Sequence, residues 1–191
     1  MPEKIGNIDG AALKRYLDSF GKQVTNRAIG QLQRKKGGTD LQKTIKYTVT
    51  PDGGKGYSVN FYMANYGAFL DKGVSGNKEI QNYKNYENKN LTSPYRFTTR
   101  QPPPDILAKW ISKKKIKGRD KDTGRFISNM SLAYLIGRKI KRDGFKSLSF
   151  FQKPLMLGLK QFGSKVMNVL SDEIVKNVKE EVQDINKTIV K

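Results

Sequence analysis

The residues able to do chemistry are few and scattered. The 191-residue chain contains no cysteine and no histidine. That removes thiolate nucleophiles and ligands, disulfides, the usual general base and the commonest neutral metal ligand. Carboxylates come as single residues (Asp71, Asp105, Asp120, Asp122, Asp143) before the adjacent Glu180 and Glu181. Asp120 and Asp122, with Lys121 between them, have the spacing of a small metal pair. In a basic loop, however, two carboxylates more often serve as neutralising surface partners. The glycine-rich GGKG at 53–56 lacks the spacing and the following Ser or Thr of a phosphate-binding loop. The expectation is a chain that is not an enzyme and holds neither cofactor nor metal.

The cations are more informative. Lys and Arg number 37 against 17 acids, a net charge of +20, and such a field attracts polyanions. Residues 109–146 hold 13 Lys or Arg against three Asp, whereas residues 171–191 hold four Lys against five acids. The asymmetry suggests one basic face, built from Lys113, Lys114, Lys115, Lys117, Arg119, Arg125, Arg138, Lys139, Lys141 and Arg142. Its functional reading is contact with DNA phosphates or an acidic protein surface. Its plainer reading is two solvated helix ends and a loop, since a helix C-terminus favours cations anyway. The two short helices here are separated by roughly fourteen residues, too many for a helix-turn-helix. Sequence-specific readout is therefore not expected.

The elements that position these residues follow from hydrophobic period. Ile8, Leu13, Tyr16, Leu17, Phe20, Val24, Ala28 and Leu32 recur every three or four positions, predicting one helix over 7–36 with a buried stripe. Gly21 and Gly30 weaken its middle and predict a kink or close packing. TIKYTVT (44–50) and YSVNFYMAN (57–65) alternate, and PDGGKG between them supplies the reversal of an antiparallel hairpin. Residues 74–101 mix Asn, Lys and Tyr with almost no aliphatic side chains. They read as a long polar insertion loop whose Tyr83, Tyr86, Tyr95 and Arg96 are candidate subunit contacts.

A helix entered through prolines follows, with Ile106, Leu107, Trp110 and Ile111 as its apolar face. After a basic loop at about 117–130, a second helix is capped by Ser131 and ends at Gly144, with Leu132, Leu135, Ile136 and Ile140 facing inward. From Phe150 a terminal helix runs to the end, with an interruption near Gly158 or Gly163. The expected fold is α+β: one domain over 1–191, a small antiparallel sheet flanked by long N- and C-terminal helices. MPEKIGNIDG lacks the apolar core of a signal peptide, and no run approaches a membrane span. The expectation is a protein made in a cytoplasm, without membrane contact.

Four stretches carry a resemblance: YGAFLDKGVSG (66–76), PPPDILAKWISKKKI (102–116), GRFISNMSLAYLIGRKIKRDGF (124–145) and FFQKPL (150–155). Together they resemble the tail-completion or neck proteins of tailed bacteriophages, which join the head connector to the tail. The matching pattern is Tyr66, Phe69, Leu70, Asp71 and Gly73, followed by Gly144 and Phe150 or Phe151; it covers about 57–155. The length of the Asn/Lys/Tyr insertion and the strong positive charge depart from that family's pattern. The resemblance implies a structural virion protein, made in a bacterial host cytoplasm and placed in the neck. It implies a homo-oligomer, a closed ring of six or twelve copies, contacting connector and tail proteins around the DNA exit channel. Within the pattern, Tyr66, Phe69 and Leu70 are expected to close the core, Asp71 to bond nearby backbone N–H groups, and Gly73 to take a left-handed angle. The second reading is a non-specific DNA-binding protein using the face at 109–146.

Overall fold

The computed structural model describes residues 10–36, 40–52 and 56–189, with side chains described as far as 180. Along the chain, α1 (Ala11–Lys36) and the single turn α2 (Leu41–Thr44) precede strands β1 (Lys46–Pro51) and β2 (Tyr57–Tyr62). Helix α3 (Tyr66–Lys72) leads into β3 (Val74–Ser75), β4 (Asn82–Lys84) and β5 (Asn90–Thr92). Then come α4 (Pro104–Lys113), α5 (Asn129–Asp143), β6 (Gly144–Phe145), α6 (Gln152–Leu159) and α7 (Phe162–Ile189). The fold is α+β, with small antiparallel sheets and long helices near both ends. One domain was the expectation. The contacts fall into two compact units: the described residues up to Ala64 with those from Phe150 onward, and Asn65–Ser149.

The first unit is organised by α1. Leu17, Phe20, Val24, Ala28 and Leu32 are buried at spacings of three and four, the stripe legible in the sequence. Burying each larger member stabilises by roughly 1.5–3 kcal/mol. Strands β1 and β2 pair antiparallel with Tyr47 opposite Phe61 and Val49 opposite Val59, and α1 packs on them and on α6 and α7. Aromatic edges knit these elements together. Phe20 meets Phe162 with ring centroids 4.8 Å apart and Phe61 at 6.5 Å, and Phe61 meets Phe151 at 5.3 Å. The Tyr47 hydroxyl donates to Asp18 Oδ1 at 3.1 Å, and burial, then that carboxylate, push its pKa up. The start of α1 expected at 7–9 lies outside the described residues. The terminal helix is broken between Leu159 and Phe162, between the two glycines named for an interruption, so α7 is 28 residues and about 42 Å long.

The second unit has a different logic, built on backbone pairing and a helix pair. The segment 74–101, expected as a loop, contains ordered strands. β3 pairs with β6 and β4 with β5. The β4–β5 reversal is closed by the Asn85 side chain, which accepts from the N–H groups of Glu87 and Lys89 at 3.0 and 2.8 Å. Asn88 supplies the positive φ of 64°, which Asn tolerates. The strands are too short and too polar for alternation to reveal them. The hub is the buried Gly73–Val74–Ser75–Gly76 run. Ser75 N–H donates to Tyr95 O, its carbonyl accepts from Phe97 N–H, both at 2.8 Å, and its hydroxyl accepts from Gln81 N–H at 3.0 Å. Ser93, also buried, donates from its hydroxyl to Gly73 O at 2.7 Å.

Helices α4 and α5 pack against each other through small residues. Ala133 and Gly137, four apart on α5, are buried, and a Cβ on Gly137 would sit 3.3 Å from Pro102 O. That close approach corrects the expected apolar faces. Ile111 is buried, but Ile106 is 60% and Trp110 44% exposed; on α5, Leu135 is 52% exposed while Leu132, Ile136 and Ile140 are half-buried. The N-cap of α5 is Ser128, whose hydroxyl accepts from Ser131 N–H at 3.0 Å, rather than Ser131 itself.

Candidate interaction surfaces

Tyr66 and Phe69 do not close the core as expected: α3 turns Gly67 and Asp71 inward and leaves both rings exposed. Asn65 precedes α3, and Gly73 ends it at φ 75° and ψ 178°, a conformation outside the left-handed helical well but still reserved for glycine. A Cβ there would also meet Ser147 N at 2.7 Å and Phe145 O at 2.9 Å. Asp71 is buried, and its carbonyl accepts from Ser149 N–H at 3.0 Å and from the Ser147 hydroxyl. Phe69 packs edge-on against Tyr95 at 4.4 Å and remains 41% exposed; Leu70 is half-buried and Tyr66 exposed.

The candidate contact residues divide. Arg96 is used internally, its Nε donating to Gly76 O at 3.2 Å and its Nη2 to Asn77 O at 3.1 Å. Tyr95 is held by Phe69, and Lys72 lies 5.9 Å from the Tyr83 ring. Tyr86 is exposed and makes none of these contacts, and Arg96 is exposed too despite its internal bonds. The composition of the segment gave no sign of which of these would be spent on local order.

The cations expected to form a basic face sit at the ends of α4 and α5 and on the segment between them. Helix α4 closes with Lys115 at φ 54°, Lys115 N–H donating to Ser112 O and Ile116 N–H to Ile111 O, both at 3.0 Å. This is the paired-bond helix ending normally given to glycine. Residues 118–127 then form a tight hairpin: Asp120 N–H donates to Arg125 O, Gly124 N–H to Asp120 O, and Ile127 N–H to Gly118 O. Asp120 is its pin, Oδ1 accepting from Thr123 N–H, Thr123 Oγ1 and Asp122 N–H at 2.8, 2.9 and 3.1 Å. The Thr123 bonds, with that from Asp122, hold its carboxyl below the ordinary range. Asp120 therefore shapes the loop. Among the described residues no group of three or more acidic side chains could hold a metal ion.

Rings on this surface hold cations. The Arg119 guanidinium lies 4.3 Å from the Phe126 ring centroid with Lys117 at 5.6 Å, and Arg138 lies 5.9 Å from that of Tyr134. Lys113, Lys114, Lys115, Lys117, Arg119, Arg125, Arg138, Lys139 and Arg142 are exposed and Lys141 is half-buried. Arg142 is neutralised by Asp143, Nη2 donating to Oδ2 at 2.8 Å, and that bond holds the Asp143 carboxyl down.

Among the described residues, exposed apolar pairs occur on several helices, α4 and α7 included. In the second unit Ile106 and Trp110 stand one turn apart on α4. In the first unit Ile174 and Val178 do the same on α7, with Val175 beside them, all about half exposed. Among the described residues no helix is long and apolar enough to cross a membrane. Comparison with known proteins gives no match: no family model, no curated relative and no solved structure.

Proposed function

We propose that the chain is a structural subunit of the neck of a tailed bacteriophage, assembled with copies of itself into a closed ring between connector and tail. The likeness of the four sequence stretches suggests the family. The observation that carries the reading is physical: each compact unit exposes its own row of large apolar side chains, Ile106 and Trp110 in one, Ile174 and Val178 in the other. Paired apolar rows on helices favour burial against a partner. A head-to-tail ring needs two different surfaces on every copy, because its interfaces are heterologous. The rows on α4 and α7 are two such different surfaces, and the occupant of each is the other on a neighbouring copy.

The test is assembly with matched variants. Native mass spectrometry and negative-stain microscopy of the purified protein should show closed rings. Trp110→Glu and Val178→Glu should each leave monomers with unchanged thermal stability. A mixture of the two variants retains one intact pairing of surfaces and should give dimers and no rings. Rings unaffected by either substitution, or a monomer at all accessible concentrations, would overturn the assembly reading. Placement in the neck is tested separately, by locating the subunit in intact particles. Its absence from them would sink that part.

A further inference from the structure

We propose that α5 and the hairpin at 118–127 form a groove that holds the phosphate backbone of double-stranded DNA without reading its sequence. Two clefts meet there. One lies under the hairpin, between Arg119 and Lys121 on one side and Met130, Tyr134 and Leu135 on the other. The second runs on from Tyr134 and Leu135 to Arg138, Lys139 and Lys141, with Lys78 on its far wall. Both clefts are lined by Tyr134 and Leu135, so they neighbour each other along α5 from Met130 to its last turn, about 18 Å at 1.5 Å per residue.

The occupant follows from charge and spacing. Six cations line the groove, and its acids are already used: Asp120 is tied into the hairpin turn, and Asp143 is paired with Arg142. Arg142 is left out of the count because Asp143 and Glu79 both act on it. A duplex carries one charge per about 1.7 Å of axis, so about 11 phosphates pass over 18 Å, and about five of them face the groove. A single strand at the same rise presents about as many, so the count alone does not choose between them; a strand bound without sequence preference also uses free aromatic faces as stacking platforms. Here the ring of Tyr134 holds a guanidinium, as does that of Phe126. Such rings place cations for a backbone. The hairpin and a helix end hold these cations on ordered elements, so a ligand with fixed phosphate spacing gains most from them.

The inference does not depend on ring assembly, and a monomer that binds duplex DNA through this groove would satisfy it. The experiment is fluorescence anisotropy with a random-sequence duplex of about 20 base pairs, titrated over salt. The unmodified protein should bind with a log–log salt slope of about −4 to −5. Changing Arg119, Lys121, Arg138 and Lys139 to Gln should weaken binding by about tenfold or more and flatten the slope by about 3. The same four-charge loss from Lys14, Arg15, Lys22 and Arg27, exposed on α1, should change binding by less than a third of that factor. Circular dichroism checks the fold, and the milder pair Lys121→Gln with Lys139→Gln, which leaves both ring-bound cations in place, should show about half the slope change. Equal losses from the two four-site variants would reduce the effect to bulk charge and overturn the groove. Tighter binding of a single strand than of the duplex would overturn the choice of ligand.

Discussion

Gly21 of α1 lies directly under the ring of Tyr47 on β1: a Cβ at that position would fall 2.8 Å from the ring's Cε2, and closer to its Cδ2. The hairpin can sit this near the helix only because the residue there has no side chain. Gly30, about two and a half turns later on the same helix, meets nothing within 4 Å of its would-be Cβ. The two glycines therefore respond oppositely to one change. Gly30→Ala should stabilise by about 0.5–1 kcal/mol, the ordinary helix preference for alanine. Gly21→Ala should destabilise by about 1–3 kcal/mol, because overpacking outweighs that preference. Urea denaturation of both variants decides it, and a stabilising Gly21→Ala would refute the close approach.

Thr25 on α1 is buried, and its hydroxyl meets no hydrogen-bond partner. A buried polar group in that state costs about 1–3 kcal/mol. Thr25→Val keeps the shape and the helix propensity while removing the hydroxyl. It should therefore raise stability by about 1 kcal/mol, seen as a higher melting temperature. A lower melting temperature would mean the hydroxyl is satisfied in solution.

These α1 positions also show where sequence reasoning works. The stripe Leu17, Phe20, Val24, Ala28 and Leu32 was legible because its burial repeats over about four turns and leaves many chances to register. The hairpin was legible because Tyr47, Val49, Val59 and Phe61 alternate on both strands. Pro103 and Pro104 announced the start of α4, and Gly144 the end of α5. The inward face of α5 was legible at Leu132, Ile136 and Ile140 but not at its centre, Ala133 and Gly137, which periodicity ranks below Leu135. Only an eye for small residues four apart would have found it. The strands at 82–84 and 90–92 were hidden by an Asn-built reversal in a polar stretch. For the surface, the charge run marked the right segment, but nothing in it told which cations would be set over rings, paired with Asp143 or left facing a groove.

Lys115 gives a prediction on backbone strain. It holds φ 54° in the position after the α4 cap, where a side chain crowds its own backbone. The two hydrogen bonds that close the helix, from Lys115 and Ile116, fix it there. Lys115→Gly should keep both bonds and stabilise by about 0.5–1 kcal/mol, the relief of left-handed strain less the greater unfolded-state freedom of glycine. Lys115→Ala should bring no such gain. Chemical denaturation of the pair separates strain from loss of a lysine charge, since both variants remove the charge.

Asp120 provides the pH test. Its carboxylate accepts from Thr123 N–H, Thr123 Oγ1 and Asp122 N–H, and these bonds lower its pKa from the ordinary 3.8. A depressed folded-state pKa means that the carboxylate's contribution is complete above the unfolded value and disappears as pH falls through the lower folded one. The hairpin should thus be pH-independent above about 4 and loosen only under more acidic conditions. Thr123 amide shift and hydrogen exchange, followed by NMR from neutral pH downward, report it directly. Asp120→Asn keeps an acceptor oxygen and should hold the turn with a flat profile across the whole range, whereas Asp120→Ala should expose the Thr123 amide at every pH. The Asn variant also removes a negative charge from the DNA-facing groove, so its duplex affinity should rise while its hairpin stays intact. A Thr123 amide that titrates at or above 3.8 in the unmodified protein would show that the carboxylate does not close this turn.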